Sequence, residues 1–173
     1  MLDALITSKT RIKLLVKFFS NSDNRGYLRG LAEEFGESTN SIRVELNRLS
    51  NAGLLSWKNE GKTKSYQANE VHPLYQELKS IVSKYLGFDT LIEQVVQRLG
   101  CVNKAIIQGD YAKGKDTGTI ELTIIASSID LDYLDFLIQT TEGKINRKLK
   151  VNVIENEPKE GILGLVVYEQ ELE

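Results

Sequence analysis

The stretch from Tyr27 to Asn69 leaves this chain little choice of local structure. YLRGLAEEF and NSIRVELNRLSNAG carry apolar residues at helical spacing, the break between them is GEST, and the following LLSWKNEGKTKSYQAN reads as a β-ribbon around a glycine turn. Two short helices and then a hairpin are predicted. In the second helix Ile42, Leu46 and Leu49 recur four and three residues apart and so share the inward face. The opposite face is thereby fixed: it carries Asn40, Val44, Asn47 and Asn51, with Arg43 and Arg48 on its shoulders, and Gly53 ends the helix.

Those residue types can read base edges. Asn bridges the N6 and N7 edge of adenine, Arg forks onto guanine O6 and N7, and a Val can lie against a thymine methyl. An ordinary solvated face also carries Asn, Arg and Ser, and the ribbon is what favours the first reading. Leu55, Trp57, Ser65 and Gln67 flank Asn59-Glu60-Gly61-Lys62, predicted as a hairpin turn with its glycine left-handed. Lys58, Lys62 and Lys64 fall on or near the tip, where cations reach phosphates beside a groove.

On these residues, together with ITSKTRIKLLVKFF before them and the stretch from Asn69 to Tyr75 ending HPLY, residues 6 to 87 resemble a winged helix-turn-helix transcriptional regulator of the ArsR type. Gly30 departs from the family, which usually has a charged helix former there; a helix-interior Gly costs roughly 1 kcal/mol against Ala. The resemblance implies double-stranded DNA as partner, a recognition helix over about 39–52 and a wing over 55–67. The expected DNA-binding residues are Ser38, Thr39, Asn40, Ser41, Arg43, Val44, Asn47, Arg48, Lys58, Lys62 and Lys64.

With 173 residues and 41% hydrophobic content, the chain can hold one large or two small cores. Charge favours two: up to Glu70 there are 11 Lys and Arg against 8 Asp and Glu, and the remainder has 11 against 16, which gives +3 and −5 and sums to −2. The expected domains are 1–87 and 88–173, in an α+β chain. The lone Cys101 cannot form an internal disulfide and reads as a core residue in a reducing compartment. No stretch approaches the roughly 20 apolar residues of a membrane span, and the start MLDALITSKTR lacks a signal-peptide core, so a cytoplasmic location is expected.

Along the chain, Ser8 is a predicted N-cap for a helix from about Lys9 to Phe19 with one apolar stripe of Ile12, Leu15, Val16 and Phe19. Tyr27 is expected to pack its ring on the core, the alternative being a hydroxyl offered to phosphate. Pro73 is placed at the first position of a helix bearing Leu74, Leu78, Ile81, Val82 and Tyr85. His72, the only histidine, reads as a capping or packing residue, because a metal site recruits several ligands. The apolar helices between Pro73 and Leu99, or else the C-terminal half, are candidate surfaces for a homodimer. Beyond Gly100 the period changes, and strands are predicted at Ala105–Ile107, Ile120–Ile125, Val151–Ile154 and Ile162–Tyr168, with a helix from Leu131 to Thr141 capped by Asp130.

Residues 104 to 154, with the run KAIIQGDYAKGKDTGTIELTII, resemble the minimal nucleotidyltransferase fold. That family carries Gly-Ser after a strand, an Asp-x-Asp pair on the next and a third Asp later, which together hold two Mg²⁺ ions at a triphosphate. Gly109 fits the pattern. Asp110 replaces the serine, Thr119 and Glu121 occupy the Asp pair, and Asn152 stands near the third position. The expected nucleotide site of Gly109, Asp110, Lys113, Thr119 and Glu121 is therefore degenerate, with no cofactor, and Asp116 reads as a turn residue rather than a substitute ligand. The half is expected to serve structure, dimerisation or sensing of a small-molecule effector. The alternatives are a nucleotidyltransferase targeted by a winged helix and a winged-helix protein-interaction module.

Overall fold

The computed structural model describes residues 2–170 and divides into two compact units, Met1–Tyr85 and Leu86–Glu173. It is a mixed α+β structure.

The first unit contains α1 (Leu2–Leu5), α2 (Lys9–Phe19), β1 (Gly26–Tyr27), α3 (Leu28–Phe35), α4 (Thr39–Asn51), β2 (Leu55–Glu60), β3 (Thr63–Ala68) and most of α5 (Tyr75–Leu86). Ser8 caps α2, its side chain accepting from Arg11 N. The single stripe expected of α2 is too narrow a description: Leu14 and Phe18 are fully buried beside Leu15, Val16 and Phe19. This helix is the centre of the unit, packed between α1, α4 and β3, so most of its circumference is covered. The Phe19 ring tilts against Tyr75 at 5.9 Å. The sheet order is β1-β3-β2, all antiparallel.

The hairpin is tighter than the sequence suggests. Asn59 and Glu60 belong to β2, paired with Lys64 and Thr63, which leaves Gly61 and Lys62 as a two-residue turn. Gly61 has φ 62, the left-handed conformation that a two-residue hairpin turn requires at its first position. Helix α5 starts at Tyr75 rather than at Pro73, because residues 69–75 close two turns first. His72 holds the second of these, Nδ1 accepting from Leu74 N at 3.1 Å. Within the expected stripe only Val82 is buried; Leu74 and Ile81 are exposed.

The second unit opens with α6 (Phe88–Leu91), which continues through a π-helical turn (Ile92–Val96) into α7 (Gln97–Leu99). Phe88, Leu91, Val95 and Val96 are buried. They belong to this unit's core, which removes them from the candidate dimer surfaces. Then come β4 (Val102–Gln108), α8 (Gly109–Ala112), β5 (Thr119–Ala126), α9 (Leu131–Ile145), β6 (Lys148–Ile154) and β7 (Leu165–Glu169). The sheet order is β6-β5-β4-β7, with β5 and β6 parallel and the other pairs antiparallel. One face carries Ala105, Ile107, Ile120, Leu122, Ile124 and Leu149, all buried. Asp130 caps α9 by accepting from Tyr133 N, and the helix runs four residues past the expected Thr141. The last strand starts at Leu165, later than expected: Gly164 lies so close to β4 that an added Cβ would stand 2.4 Å from Ile107 O.

Candidate nucleic-acid interface

Helix α4 is held from its inner side. Ile42, Leu46 and Leu49 are 0%, 1% and 4% exposed, and burying each stabilises by roughly 1.5–3 kcal/mol. Ser38 caps the first turn, accepting from Ser41 N at 3.1 Å. At the other end Leu54 N–H donates to Leu49 O and Gly53 N–H to Ser50 O, the paired bonds of a Schellman stop.

A carboxylate absent from the expected site fixes the rotation of α4. Glu45 lies on the buried side and accepts from Arg11 Nε at 2.8 Å, Arg11 Nη2 at 3.1 Å and Ser8 Oγ at 2.9 Å, with Arg48 Nη1 at 3.5 Å. This two-pronged Arg–carboxylate pair joins α2 to α4. The signal was present in the sequence, since position 45 falls beside Leu49 at the edge of the inward arc and a charge there needs a partner. A second tie lies at the helix start, where Glu37 accepts from Thr10 Oγ1, from Lys13 Nζ at 2.8 Å and from Ser41 Oγ at 3.4 Å. Burial pushes the Glu37 carboxyl up, but the Lys13 and Thr10 hydrogen bonds and the Lys13 charge outweigh it and leave its pKa below the ordinary value.

Asn40, Arg43, Val44, Asn47 and Arg48 are exposed on the outer face, as are Ser38 and Thr39. Ser38 and Ser41 are tied into the helix start, whereas the side chains of Asn40, Arg43 and Asn47 donate no hydrogen bond to another described residue. Val44 is 49% exposed, an uncovered aliphatic side chain between polar ones.

The wing lysines differ in their commitments. Lys58 pairs with Glu60 at 3.1 Å, and Lys64 lies 3.7 Å above the Trp57 ring. Lys62, at the turn, has no ion-pair partner among the described residues. Tyr27 follows neither expectation: its ring is 40% exposed, and its hydroxyl bonds to Glu60 on the wing. Pairing of β1 with β3 puts Tyr27 opposite Ser65, on the same sheet face as Lys58 and Glu60, so the phenol meets a carboxylate rather than the core.

In the second unit, Gly109 has φ 63, and a Cβ there would stand 2.8 Å from Glu121 Oε2. The carboxylate of Glu121 thus lies on the glycine backbone. Strand register puts Thr119, Glu121, Thr123, Gln108, Lys150 and Asn152 on one sheet face, the one opposite Ala105, Ile107, Ile120 and Leu122. Asp110 and Lys113 are exposed beside it. Asp116 is no simple turn residue: Arg147 grips it through Nε at 3.0 Å and Nη2 at 2.6 Å, and the Tyr111 hydroxyl bonds to the same carboxylate. Burial pushes Asp116 up while Arg147 and Tyr111 pull it down further, so its pKa ends below the ordinary value. Burial and the adjacent Asp116 push the Tyr111 phenol up to about 12. Arg147 and its long-range reach to this loop carried no periodic signal. Among the described residues no three His, Cys, Asp or Glu side chains are grouped to hold a metal ion. No helix among them is long and apolar enough to cross a membrane.

No family model matches the chain, and no curated protein matches it. Among solved structures, reduced HlyU from Vibrio cholerae N16961 is similar at 18% identity, covering 53% of this chain and 82% of that one, with a TM-score of 0.37. A likeness that loose assigns no family.

Proposed function

We propose that this chain is a DNA-binding transcriptional regulator whose first unit is a winged helix-turn-helix. Helix α4 enters the major groove and the wing lies on the backbone. The observation that carries the reading is the division of α4 into two faces. One is locked by Ile42, Leu46, Leu49 and Glu45, and the other presents Asn40, Arg43, Val44 and Asn47, whose side chains make no hydrogen bond or ion pair with another described residue. Arg43 and Asn47 are suited to base edges, and Lys62 to a phosphate. A two-fold dimer would place two such helices in successive major grooves, about 34 Å apart.

The second unit is read as a silent relative of the nucleotidyltransferases. The support is chemical: Glu121 is the lone acid among the six named residues of its sheet face, and the carboxylate of Asp116 is taken by Arg147. Two divalent ions ordinarily need several acidic ligands. Incubation with Mg²⁺ or Mn²⁺ and labelled nucleoside triphosphates tests this; label transfer that disappears in Glu121→Ala would make the unit an enzyme.

Selection of bound duplexes from a random pool, followed by titration at several salt concentrations, tests the DNA reading. Arg43→Ala is expected to relax discrimination at a cost of roughly 1–3 kcal/mol, and Lys62→Ala to weaken all sequences alike and lower the salt slope by about one unit. No affinity for any duplex at low salt would leave the first unit as a protein-interaction module.

A further inference from the structure

Strand β6 ends its sheet, so one of its edges meets no other strand among the described residues. Its pairing with β5 decides which backbone groups point that way. Lys148 N–H donates to Gly118 O at 2.8 Å, and the parallel register runs without a shift from Thr119↔Lys148 to Ile125↔Ile154. Backbone hydrogen-bonding groups alternate sides along a strand. Lys148, Lys150, Asn152 and Ile154 therefore bond into the sheet, and Leu149, Val151 and Val153 turn theirs outward.

At the first of these three the N–H is already taken. Leu149 N–H donates to Glu142 Oε1 at 2.8 Å, and the other oxygen of Glu142 accepts from Lys148 Nζ at 2.9 Å. Val151 and Val153 keep both N–H and C=O without a partner among the described residues. Proteins guard such edges with prolines, bulges and charges. Here the strand has no bulge against β5, the nearest proline is Pro158 beyond its end, and Lys148 is folded onto Glu142.

We propose that this edge pairs with β6 of a second copy of the chain, antiparallel, about a two-fold axis through Asn152. The open groups are self-complementary in that register: Val151 meets Val153 of the partner subunit, Val153 meets Val151 of the partner subunit, and all four N–H and four C=O groups find partners. Centring the axis on Val151 would bring Val153 to a Leu149 whose N–H is taken by Glu142. Centring it on Val153 would run the pairing past Ile154, where the strand ends. About Asn152 no lysine faces a lysine, since Lys150 stands opposite Ile154, and the exposed Asn152 amide lies beside its own copy. The two sheets become one of eight strands. This pairing supplies a two-fold axis for the proposed regulator, but it rests on sheet geometry and is tested without DNA.

Sedimentation of the full chain over a concentration series should show a species of twice its 19.5 kDa mass. Val151→Pro and Val153→Pro each delete an outward N–H and leave the ladder to β5 intact, so both should shift the chain to monomer with unchanged circular dichroism. A covalent measurement covers the case in which proline unfolds the strand. Asn152 and its copy form a non-hydrogen-bonded antiparallel pair, with Cα atoms about 4.5 Å apart, within disulfide reach. Cys101→Ser combined with Asn152→Cys should therefore cross-link on oxidation, while Cys101→Ser combined with Lys159→Cys should not. A chain that stays monomeric throughout the series would overturn the proposal. So would a dimer that survives both prolines without cross-linking, or one dissolved by Ile81→Glu on α5 and untouched at β6.

Discussion

Replacing Glu45 by alanine should loosen the first unit by about 2 kcal/mol. The carboxylate accepts two bonds from Arg11 at 2.8 and 3.1 Å and one from Ser8 at 2.9 Å, and its side chain is only 9% exposed. Breaking a fully buried pair costs about 3–5 kcal/mol, because the remaining charge is stranded. Here the stranded partners are not fully buried: Arg11 is 25% exposed and Arg48 58%, so both can turn to water. Alanine is also the better helix former by several tenths of a kcal/mol. These two offsets bring the expected loss down to about 2 kcal/mol, and to about 1 kcal/mol for Glu45→Gln, which keeps hydrogen bonds to neutral oxygen. Trp57 is the only tryptophan and lies on the wing, so its fluorescence follows the first unit alone during urea unfolding. With a slope of roughly 1–3 kcal/mol/M, the midpoint should fall by about 1 M. A double-mutant cycle with Arg11→Met should give a coupling of about 1–2 kcal/mol. An unmoved midpoint, or a coupling near zero, would mean that Glu45 does not hold α4 to α2.

The wing should report on nucleic acid directly: bound duplex should change Trp57 emission, and Lys64→Gln, which removes the cation over the ring, should alter that response. Emission indifferent to saturating duplex would place the wing off the backbone. The folded pKa values of Glu37 and Asp116 lie below their ordinary 4.5 and 3.8, so the stability they supply is present above those values and is lost as pH falls through the lower folded ones. Arg147→Met should remove the share of the acid-linked loss that Asp116 supplies to the second unit, leaving the share from Glu142, which Leu149 N–H and Lys148 hold down, and leaving the first unit unchanged, as read by hydrogen exchange of each unit. At the other end Tyr111 is raised from 10.0 to about 12, so its contribution is complete below 10.0 and lost as pH rises towards 12; Tyr111→Phe should flatten that decline.

The faces of this chain were legible where burial is periodic, and its ties were not. Ile42, Leu46 and Leu49 gave away the inward arc of α4, and with it the exposed Asn40, Arg43, Val44 and Asn47, because a helix leaves no freedom between the two faces. Ser8 and Asp130 were readable as caps because capping is local. What escaped spans long separations. Arg11 reaches Glu45 across 34 residues and Arg147 reaches Asp116 across 31, and no local pattern selects one arginine among several. Tyr27 escaped for a related reason: its neighbour Glu60 is set by the register of β3 between β1 and β2, a property of the assembled sheet.

Charge links the two proposed surfaces. Affinity for duplex rises with the number of phosphates neutralised, each contributing a salt slope of roughly −0.9. In one copy the wing offers the phosphates few uncommitted cations, since Lys58 is paired with Glu60, Lys64 lies over Trp57, and Lys62 at the turn has no ion-pair partner among the described residues. The whole chain is −2, so long-range attraction adds little. A regulator built this way gains by engaging two half-sites at once, since a second contact made from a tethered copy is an intramolecular event with a high effective concentration. The seven-residue β6, whose Val151 and Val153 keep both outward groups open among the described residues, would make a small interface, so in the proposed reading pairing and DNA binding reinforce each other. Duplex carrying two half-sites should then favour the dimer, and a single half-site should not.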